Sequence, residues 1–478
     1  MIDSVPQLAL FVLLAAPSIA AVLALVPRPT VSRLAARTGS ILTVVAAIGL
    51  IVTRASGRWG SLLGVDALSE VLLFTVTSIY ATSTWYSDLY LRRVERPFLT
   101  PQVYYALLSA FAFTMIAALL VTDLGLMWIG IEATTVSSAL LIVLERRPTS
   151  VEAAWRYTLI ASAGLTITLF ALLLLYTDTG TLDAFRLASQ PPALTLPVVM
   201  AASLALVGYG TKAGLFPMHT WLPDAHSEAP SPISAMFSGV LLPTGLYAFL
   251  RVYLVLGSPV PATVRDLVLT FGLATALVGA FLLQRQRSYK RMLAYSSMEV
   301  MGLAVTGIAI GGIALYGALI LLVAHAFAKS AAFYCAGNVL RETGTTRIDE
   351  VRDLRGRLPR TGAGWVLASL AVTGAPPFGT FLGELLIVIG ALAIGAVWVA
   401  ALFVLAILVA FLGINGQVGR MVFGEARDAG SPPTPIGDRG TGVVYLNLAF
   451  ALALGVASIP YLSPALRSAA SLFGGGAP

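Results

Sequence analysis

Apolar residues run through this chain in long unbroken stretches, separated by short polar or proline-rich connections. A stretch of about 20 apolar residues has the length of a membrane-spanning helix. Fourteen such stretches are expected, roughly 7–26, 39–53, 67–88, 106–121, 124–144, 157–176, 196–215, 233–253, 262–283, 293–311, 315–338, 364–392, 397–415 and 443–464. The runs do not alternate between apolar and polar residues, which excludes a transmembrane barrel. The pattern therefore predicts an all-α polytopic membrane protein, a single transmembrane domain over residues 1–478, with the Gly/Pro-rich segment 424–442 as a flexible surface loop. Residues 1–6 (MIDSVP) lack the basic start of a signal peptide, so the first span is expected to be retained.

Positive charge supports this partition. Loops after odd-numbered spans hold 22 Lys and Arg, against 6 toward the other side, two of which (Arg251 and Arg265) lie within the ends of spans. By the positive-inside rule the odd loops are cytoplasmic and both termini lie on the opposite, non-cytoplasmic side. Composition agrees: 58% of residues are hydrophobic and 11% are charged, where a soluble domain carries about 25% charged residues. Mean hydropathy is +0.87. Several functions drop out. The lone Cys335 cannot hold an iron–sulfur cluster, and His219, His226 and His325 lack zinc-site spacing. There is no phosphate-binding loop. The net charge of +7 comes from arginines dispersed among loops, so nucleic acid is not an expected partner.

Among the ionisable residues inside the spans six stand out as candidates: Glu132, Lys212, Glu299, His325, Lys329 and Glu384. One charge at mid-bilayer costs about 2.5–3.5 kcal/mol on insertion scales. These groups must therefore face the protein interior and find partners or water. Each alone can be helix-to-helix glue, and His325 alone a satisfied core residue; the set together reads as a path. His325 and Lys329 are one helical turn apart on one face. Only three of the 30 basic residues are lysines, Lys212, Lys290 and Lys329, and two of these are intramembrane. Lysine can release its proton when desolvated, whereas arginine stays charged.

Two spans carry helix breakers. The seventh runs into GTKAGLFPMHTWLP, with Gly210, Gly214 and Pro217; the twelfth contains TGAPPFGTFLGE, with Gly374, Pro376, Pro377 and Gly379. Broken helices in lipid are tolerated where they line a cavity or are buried in protein. Paired breaks point to a transporter with internal repeats. Glu132 precedes Lys212 by two spans, and Glu299 precedes Glu384 by two spans. This predicts two inverted five-helix repeats, 106–253 and 262–415, with the seventh and twelfth helices broken.

The stretch GTKAGLFPMHTWLPDAHSEAPSPISAMFSGVLL (210–242) resembles the signature of the antiporter-like subunits of respiratory complex I and group-4 membrane-bound hydrogenases. YKRMLAYSS (289–297), HAFAKSAAFYCAGN (325–338), APPFGTFLGELLI (375–387), GVDALS (64–69) and WIGIEAT (128–134) extend the likeness over nearly the whole chain. Within that superfamily the branch most similar is hydrogenase-4 component F; the antiporter-like subunits of Mrp-type antiporters and the M and N subunits of complex I are relatives.

The resemblance implies a proton-translocating subunit with no redox cofactor or metal of its own. Its implied partners are other membrane-arm subunits and a soluble redox arm, and its location is a prokaryotic cytoplasmic membrane. By motif, Glu132, Lys212, His325, Lys329 and Glu384 are the implied proton-translocation residues, with Glu299, His226, Asp224 and Thr244 in support. Two other readings stay open: a subunit of a multi-subunit Na⁺/H⁺ antiporter, or a membrane subunit of an inorganic-carbon uptake system. One departure matters. Many relatives carry a lysine on the eighth helix where this chain has Pro243. Water, Thr244 or His226 would have to bridge that gap. His219, Asp224, His226 and Glu228 in the following loop read equally as caps of the break or as a proton entrance.

Overall fold

The computed structural model describes residues 5–92, 94, 97–145, 147–425, 438–457 and 459–474. Most of the loop expected at 424–442 lies outside the described residues. The first half of the chain runs α1 (Val5–Ala24), α2 (Pro29–Thr53), a hairpin of β1 (Gly57–Trp59) and β2 (Leu63–Val65), α3 (Ala67–Leu91), α4 (Pro101–Leu120), α5 (Leu124–Ile142), α6 (Pro148–Thr179), the short α7 (Ala184–Ser189) and α8 (Leu196–Lys212). A 3₁₀ turn (Met218–Thr220) and α9 (Trp221–Glu228) follow. Next, α10 (Ser231–Met236) continues through a π-helical segment (Phe237–Leu241) into α11 (Leu242–Val255). The second half comprises α12 (Ala262–Leu283), α13 (Tyr289–Ile310), α14 (Gly312–Thr343), α15 (Leu354–Arg357), α16 (Pro359–Val372), α17 (Gly379–Ala393), α18 (Val397–Phe423), α19 (Thr441–Val456) and α20 (Leu462–Ser471).

Ten helices among the described residues are long and apolar enough to cross a membrane, and three shorter apolar helices join them. A small antiparallel hairpin between α2 and α3 accompanies this helical architecture. Several helices begin earlier than their apolar run. Pro29, Pro101 and Pro148 each sit in the first turn, where the missing N–H costs nothing and φ is already helical. The helix predicted at 443–464 stops at Val456, and α20 forms separately beyond Pro460.

The bundle is layered from inside out. Every residue of the Ser231–Val255 span is buried, and α13 and α14 are nearly as enclosed. Helices α1, α2, α6 and α18 expose Phe11, Leu34, Phe170 and Leu412, an apolar jacket suited to lipid. Helix α3, 25 residues long, is not among the ten apolar spans. It buries Thr75, Thr77, Ser83, Thr84 and Ser87 inside the bundle, and a helix sheathed by protein needs no apolar surface. Thr75, Thr77 and Thr84 bond back to carbonyls of α3 itself, while Ser83 and Thr82 reach the Tyr334 hydroxyl of α14 and Ser87 that of Tyr104.

Candidate functional site

Both predicted breaks are present, and their backbones match. Helix α8 ends at Lys212; Gly214 then turns left-handed (φ +76°), and the Leu215 N–H bonds back to the Gly210 carbonyl at 2.8 Å. Between α16 and α17, Gly374 turns likewise (φ +65°), and the Ala375 N–H bonds to the Leu370 carbonyl at 3.0 Å. Only glycine adopts this conformation without strain. Each break frees helical carbonyls, and a side chain from beyond the break caps one: Trp221 Nε1 donates to the Thr211 carbonyl at 2.8 Å, and Thr380 Oγ1 to the Ala371 carbonyl at 2.6 Å. Gly210, Thr211, Gly214 and Leu215 precede Leu370, Ala371, Gly374 and Ala375 by one common offset. Pro217 follows the first break, and Pro376 and Pro377 lie in the second.

Lys212, completely buried, occupies the mouth of the first break. Its Nζ donates to Thr135 Oγ1 and to the Tyr157 hydroxyl, both at 2.7 Å. Thr135 lies on α5 one turn after Glu132. Glu132 is half-buried; its Oε1 accepts from Ser162 Oγ at 2.6 Å and its Oε2 has no hydrogen-bond partner among the described residues. Lysine and glutamate are thus neighbours without forming an ion pair.

The second half repeats this chemistry. Lys329 on α14 is completely buried and donates to the Leu293 carbonyl at 2.6 Å and to Ser296 Oγ. Ser296 lies on α13 one turn before the buried Glu299, which again makes no ion pair with the lysine. His325, one turn from Lys329, is fully enclosed, and neither ring nitrogen is hydrogen-bonded among the described residues. Glu384 is buried on α17, and its carboxylate lies against Gly374, in the space a Cβ there would fill. It therefore reaches the second break as Lys212 reaches the first.

A hydroxyl partner has a chemical consequence. Ser, Thr and Tyr hydroxyls both accept and donate. They satisfy a protonated lysine, and by rotating they satisfy a neutral one. A carboxylate would hold the ammonium form.

The supporting residues divide. His226 on α9 is fully buried, both ring nitrogens lack hydrogen-bond partners among the described residues, and it packs on Phe237 and on Phe333 of α14. It stands between the two lysine sites. Thr244 Oγ1 donates to the Val240 carbonyl one turn earlier in the same span at 2.7 Å. Pro243 falls in the first turn of α11, directly after the π segment Phe237–Leu241, the local rearrangement that accommodates a proline inside a continuous span. Asp224 is engaged by Arg291 at 2.7 Å and Arg156 at 3.1 Å, and Glu228 accepts from Thr149 at 2.8 Å. Lys290 is 2% exposed and donates to the Ala229 carbonyl. Its neighbours Glu145, Glu228 and Arg291 line a polar cavity of about 200 Å³.

Sequence reasoning missed three elements. Tyr157, a partner of Lys212, carries no charge to mark it. Arg251 on α11 is 5% exposed and grips Asp66, at the start of α3, through two hydrogen bonds of 2.5 and 2.7 Å. It also donates to Ser69 Oγ at 2.7 Å and faces the Tyr247 ring. Burial favours the neutral acid of Asp66, but the guanidinium and the Ser69 N–H outweigh it and hold this carboxyl below its usual range. Glu70, one residue after Ser69, is buried as well. Its position in a first helical turn, where acidic residues are commonplace, disguised it.

Known proteins share this architecture. Residues 121–410 match the profile of a family described as NADH:quinone oxidoreductase/Mrp antiporter, TM. The chain is 34% identical over 388 residues to a hydrogenase-4 component F homolog of Methylacidiphilum infernorum, covering 78% of this chain and 81% of that one. Its fold superposes on a chain of the membrane-bound sulfane sulfur reductase, an archaeal respiratory membrane complex, with a TM-score of 0.87 at 22% identity, over 99% of this chain and 98% of that one. A chain of the Mrp complex from Dietzia sp. DQ12-45-1b superposes with a TM-score of 0.86 at 20% identity, over 98% of both chains.

Proposed function

The chain belongs to the NADH:quinone oxidoreductase/Mrp antiporter transmembrane family, and we propose that it is the proton-translocating, antiporter-like subunit of a redox-driven membrane complex. One observation carries this reading. Two fully buried lysines are each held by a hydroxyl one turn from a glutamate on an adjacent helix, rather than by the glutamate itself. Such an arrangement allows the lysine to hold or release a proton without breaking a buried ion pair.

In this reading Glu132 and Lys212 form the first station, His226 the bridge across the Pro243 segment, His325 and Lys329 the second station, and Glu384 the terminal group. Glu299 shifts the electrostatics of Lys329 as Glu132 does those of Lys212. Redox chemistry belongs to partner subunits, and its energy arrives as a change of charge or hydration beside Glu132. Glu132 as a residue is half-buried although its Oε2 is enclosed, so a neighbouring membrane-arm subunit packed beside α5 would act on it through its surroundings rather than by direct contact. The chain would sit in a prokaryotic cytoplasmic membrane, crossing it fourteen times with both termini on the non-cytoplasmic side. The common offset of the two breaks supports the inverted repeats 106–253 and 262–415.

An Mrp-type reading has its own support, because the fold fits a chain of that complex as closely as a respiratory one. The two readings separate in membrane vesicles. Acidification driven by an electron donor, insensitive to Na⁺, is expected; Na⁺-dependent transport without electron flow would favour the antiporter. Lys212→Ala and Glu132→Ala are expected to abolish coupled proton movement while the complex still assembles. Wild-type pumping in both would refute the proposal.

A further inference from the structure

Three arginines converge on one carboxylate at a distance from the path described above. Arg33 and Arg37, on successive turns of α2, and Arg92, which follows α3, reach Asp88 at 3.1, 3.3 and 3.0 Å. Two positive charges are left without a counter-ion among the described residues. Acceptors are short as well: a carboxylate offers about four lone-pair sites, whereas each guanidinium carries about five N–H donors. The Nε atoms of Arg33 and Arg37 are enclosed and have no hydrogen-bond partner among the described residues. Tyr105 on α4 shares the shortage. It is 2% exposed, its hydroxyl is enclosed and unpartnered, and the charges acting on it are Asp88 and the same three arginines.

Snorkelling does not describe this cluster. A snorkelling arginine carries its head into water, but the side chains of Arg33 and Arg37 are only 30% and 23% exposed. The Arg37 guanidinium lies over the Trp85 ring, 4.5 Å from its centroid, and Trp85 is itself exposed. Trp and Tyr collect at the headgroup level of a bilayer. Here α2 begins and α3 ends, at the end of the bundle that the distribution of arginines marks as cytoplasmic. From Arg37 inward, Ile41, Val45 and Ile48 follow at one-turn intervals along α2, and all three are exposed. Surplus positive charge, an interfacial aromatic ring and an apolar stripe thus stand in the order of the parts of a phospholipid.

We propose that this cluster binds the phosphate of an anionic phospholipid, held by Arg33, Arg37 and Arg92 with the Tyr105 hydroxyl in support, its acyl chain laid along Ile41, Val45 and Ile48. The planar fork of arginine matches phosphate oxygens, and basic pockets between transmembrane helices on the cytoplasmic side suit anionic headgroups. A zwitterionic lipid brings its own ammonium group into a site already positive, so it binds less well. The bound lipid joins α2, α3 and α4 at one end of the bundle. The inference is independent of the proton-translocating reading.

The test uses the full chain, stripped of lipid in detergent, with bound lipid counted by native mass spectrometry. The probes are phosphatidylglycerol, phosphatidylcholine with the same acyl chains, and inorganic phosphate. Phosphatidylglycerol is expected to bind at least about tenfold more tightly than phosphatidylcholine. Arg33→Gln combined with Arg37→Gln is expected to bring the two within about twofold. Tyr105→Phe leaves every ion pair in place and is expected to weaken phosphatidylglycerol about threefold. Asp88→Asn removes the acceptor that competes with the phosphate and is expected to strengthen it, a gain that a merely structural ion-pair cluster would not show. Arg285→Gln combined with Arg287→Gln, a pair of exposed arginines elsewhere on the same side, is expected to keep the wild-type preference. No preference for phosphatidylglycerol in the wild type, or a preference that survives Arg33→Gln with Arg37→Gln, overturns the proposal. An equal loss in the Arg285 and Arg287 variant overturns it too, because general surface charge would then suffice. Displacement of phosphatidylglycerol by millimolar inorganic phosphate overturns the lipid as the occupant in favour of a free anion.

Discussion

Replacing Lys212 by arginine tests whether this side chain acts by releasing a proton or only by being positive. Charge is kept, so any electrostatic glue survives. Free arginine holds its proton more tightly than free lysine by about two pH units or more, so the neutral form becomes dearer by about 3 kcal/mol or more, a hundredfold or more in population. The structure adds to this. Nζ lies between two hydroxyls at 2.7 Å in a site with no exposure. A guanidinium has five donors and accepts nothing, so Thr135 and Tyr157 could never turn and donate to it. Proton transport in vesicles should therefore fall at least about a hundredfold, with the complex assembled and electron transfer measured alongside. Tyr157→Phe should be milder. It removes one of two hydrogen bonds to a charged group and keeps the other, a loss at the low end of about 1.5–3 kcal/mol, so transport should slow by about tenfold. Transport by Lys212→Arg within threefold of wild type would refute the release step.

Three further outcomes follow from the geometry. Arg251→Ala should destabilise the purified protein by about 3–5 kcal/mol, because it leaves the Asp66 carboxylate buried and unpaired; thermal unfolding in detergent measures this, and a loss under 1 kcal/mol would count against the pair. The same pair has a pH signature. Asp66 is held below its ordinary value of 3.8 in the fold, so its stabilisation is complete above that value and fades as pH falls through the lower folded one; Asp66→Asn should lack this acid-side loss while the wild type shows it below about pH 4. Gly374→Ala should cost about 1–2 kcal/mol for its left-handed backbone and, by displacing the Glu384 carboxylate, should also reduce proton transport; a stable variant with normal transport would show that Glu384 need not reach the break.

The lysines and Arg251 are held by opposite means within one bundle. Arg251 is bound to a carboxylate and fixed, a tie between α3 and α11. Lys212 and Lys329 are bound to hydroxyls and backbone carbonyl, with their glutamates set one turn aside. Arginine is suited to the permanent bond and lysine to the reversible one. This division gives a physical reason for lysine rather than arginine at positions 212 and 329.

Much of this protein is legible in one dimension. Lipid is a harsh solvent for polar groups, so apolar runs, arginine-rich loops and helix-breaking Gly–Pro motifs had to appear in the sequence, and helices stand at each run. The intramembrane charges were conspicuous for the same reason. What the sequence could not reveal were relations between helices. Tyr157 and Ser296 are uncharged, and only packing brings them to the lysines. The tie between Arg251 and Asp66 spans much of the chain. The bonding of Thr244 to its own backbone depends on local geometry, as does the π segment that admits Pro243. Glu70 looked like an ordinary first-turn residue until α20, distant in sequence, closed over it. Apolar pattern determined which segments enter the membrane; side-chain packing among those segments decided which buried groups are locked in an ion pair and which are held by hydroxyls and backbone carbonyls alone.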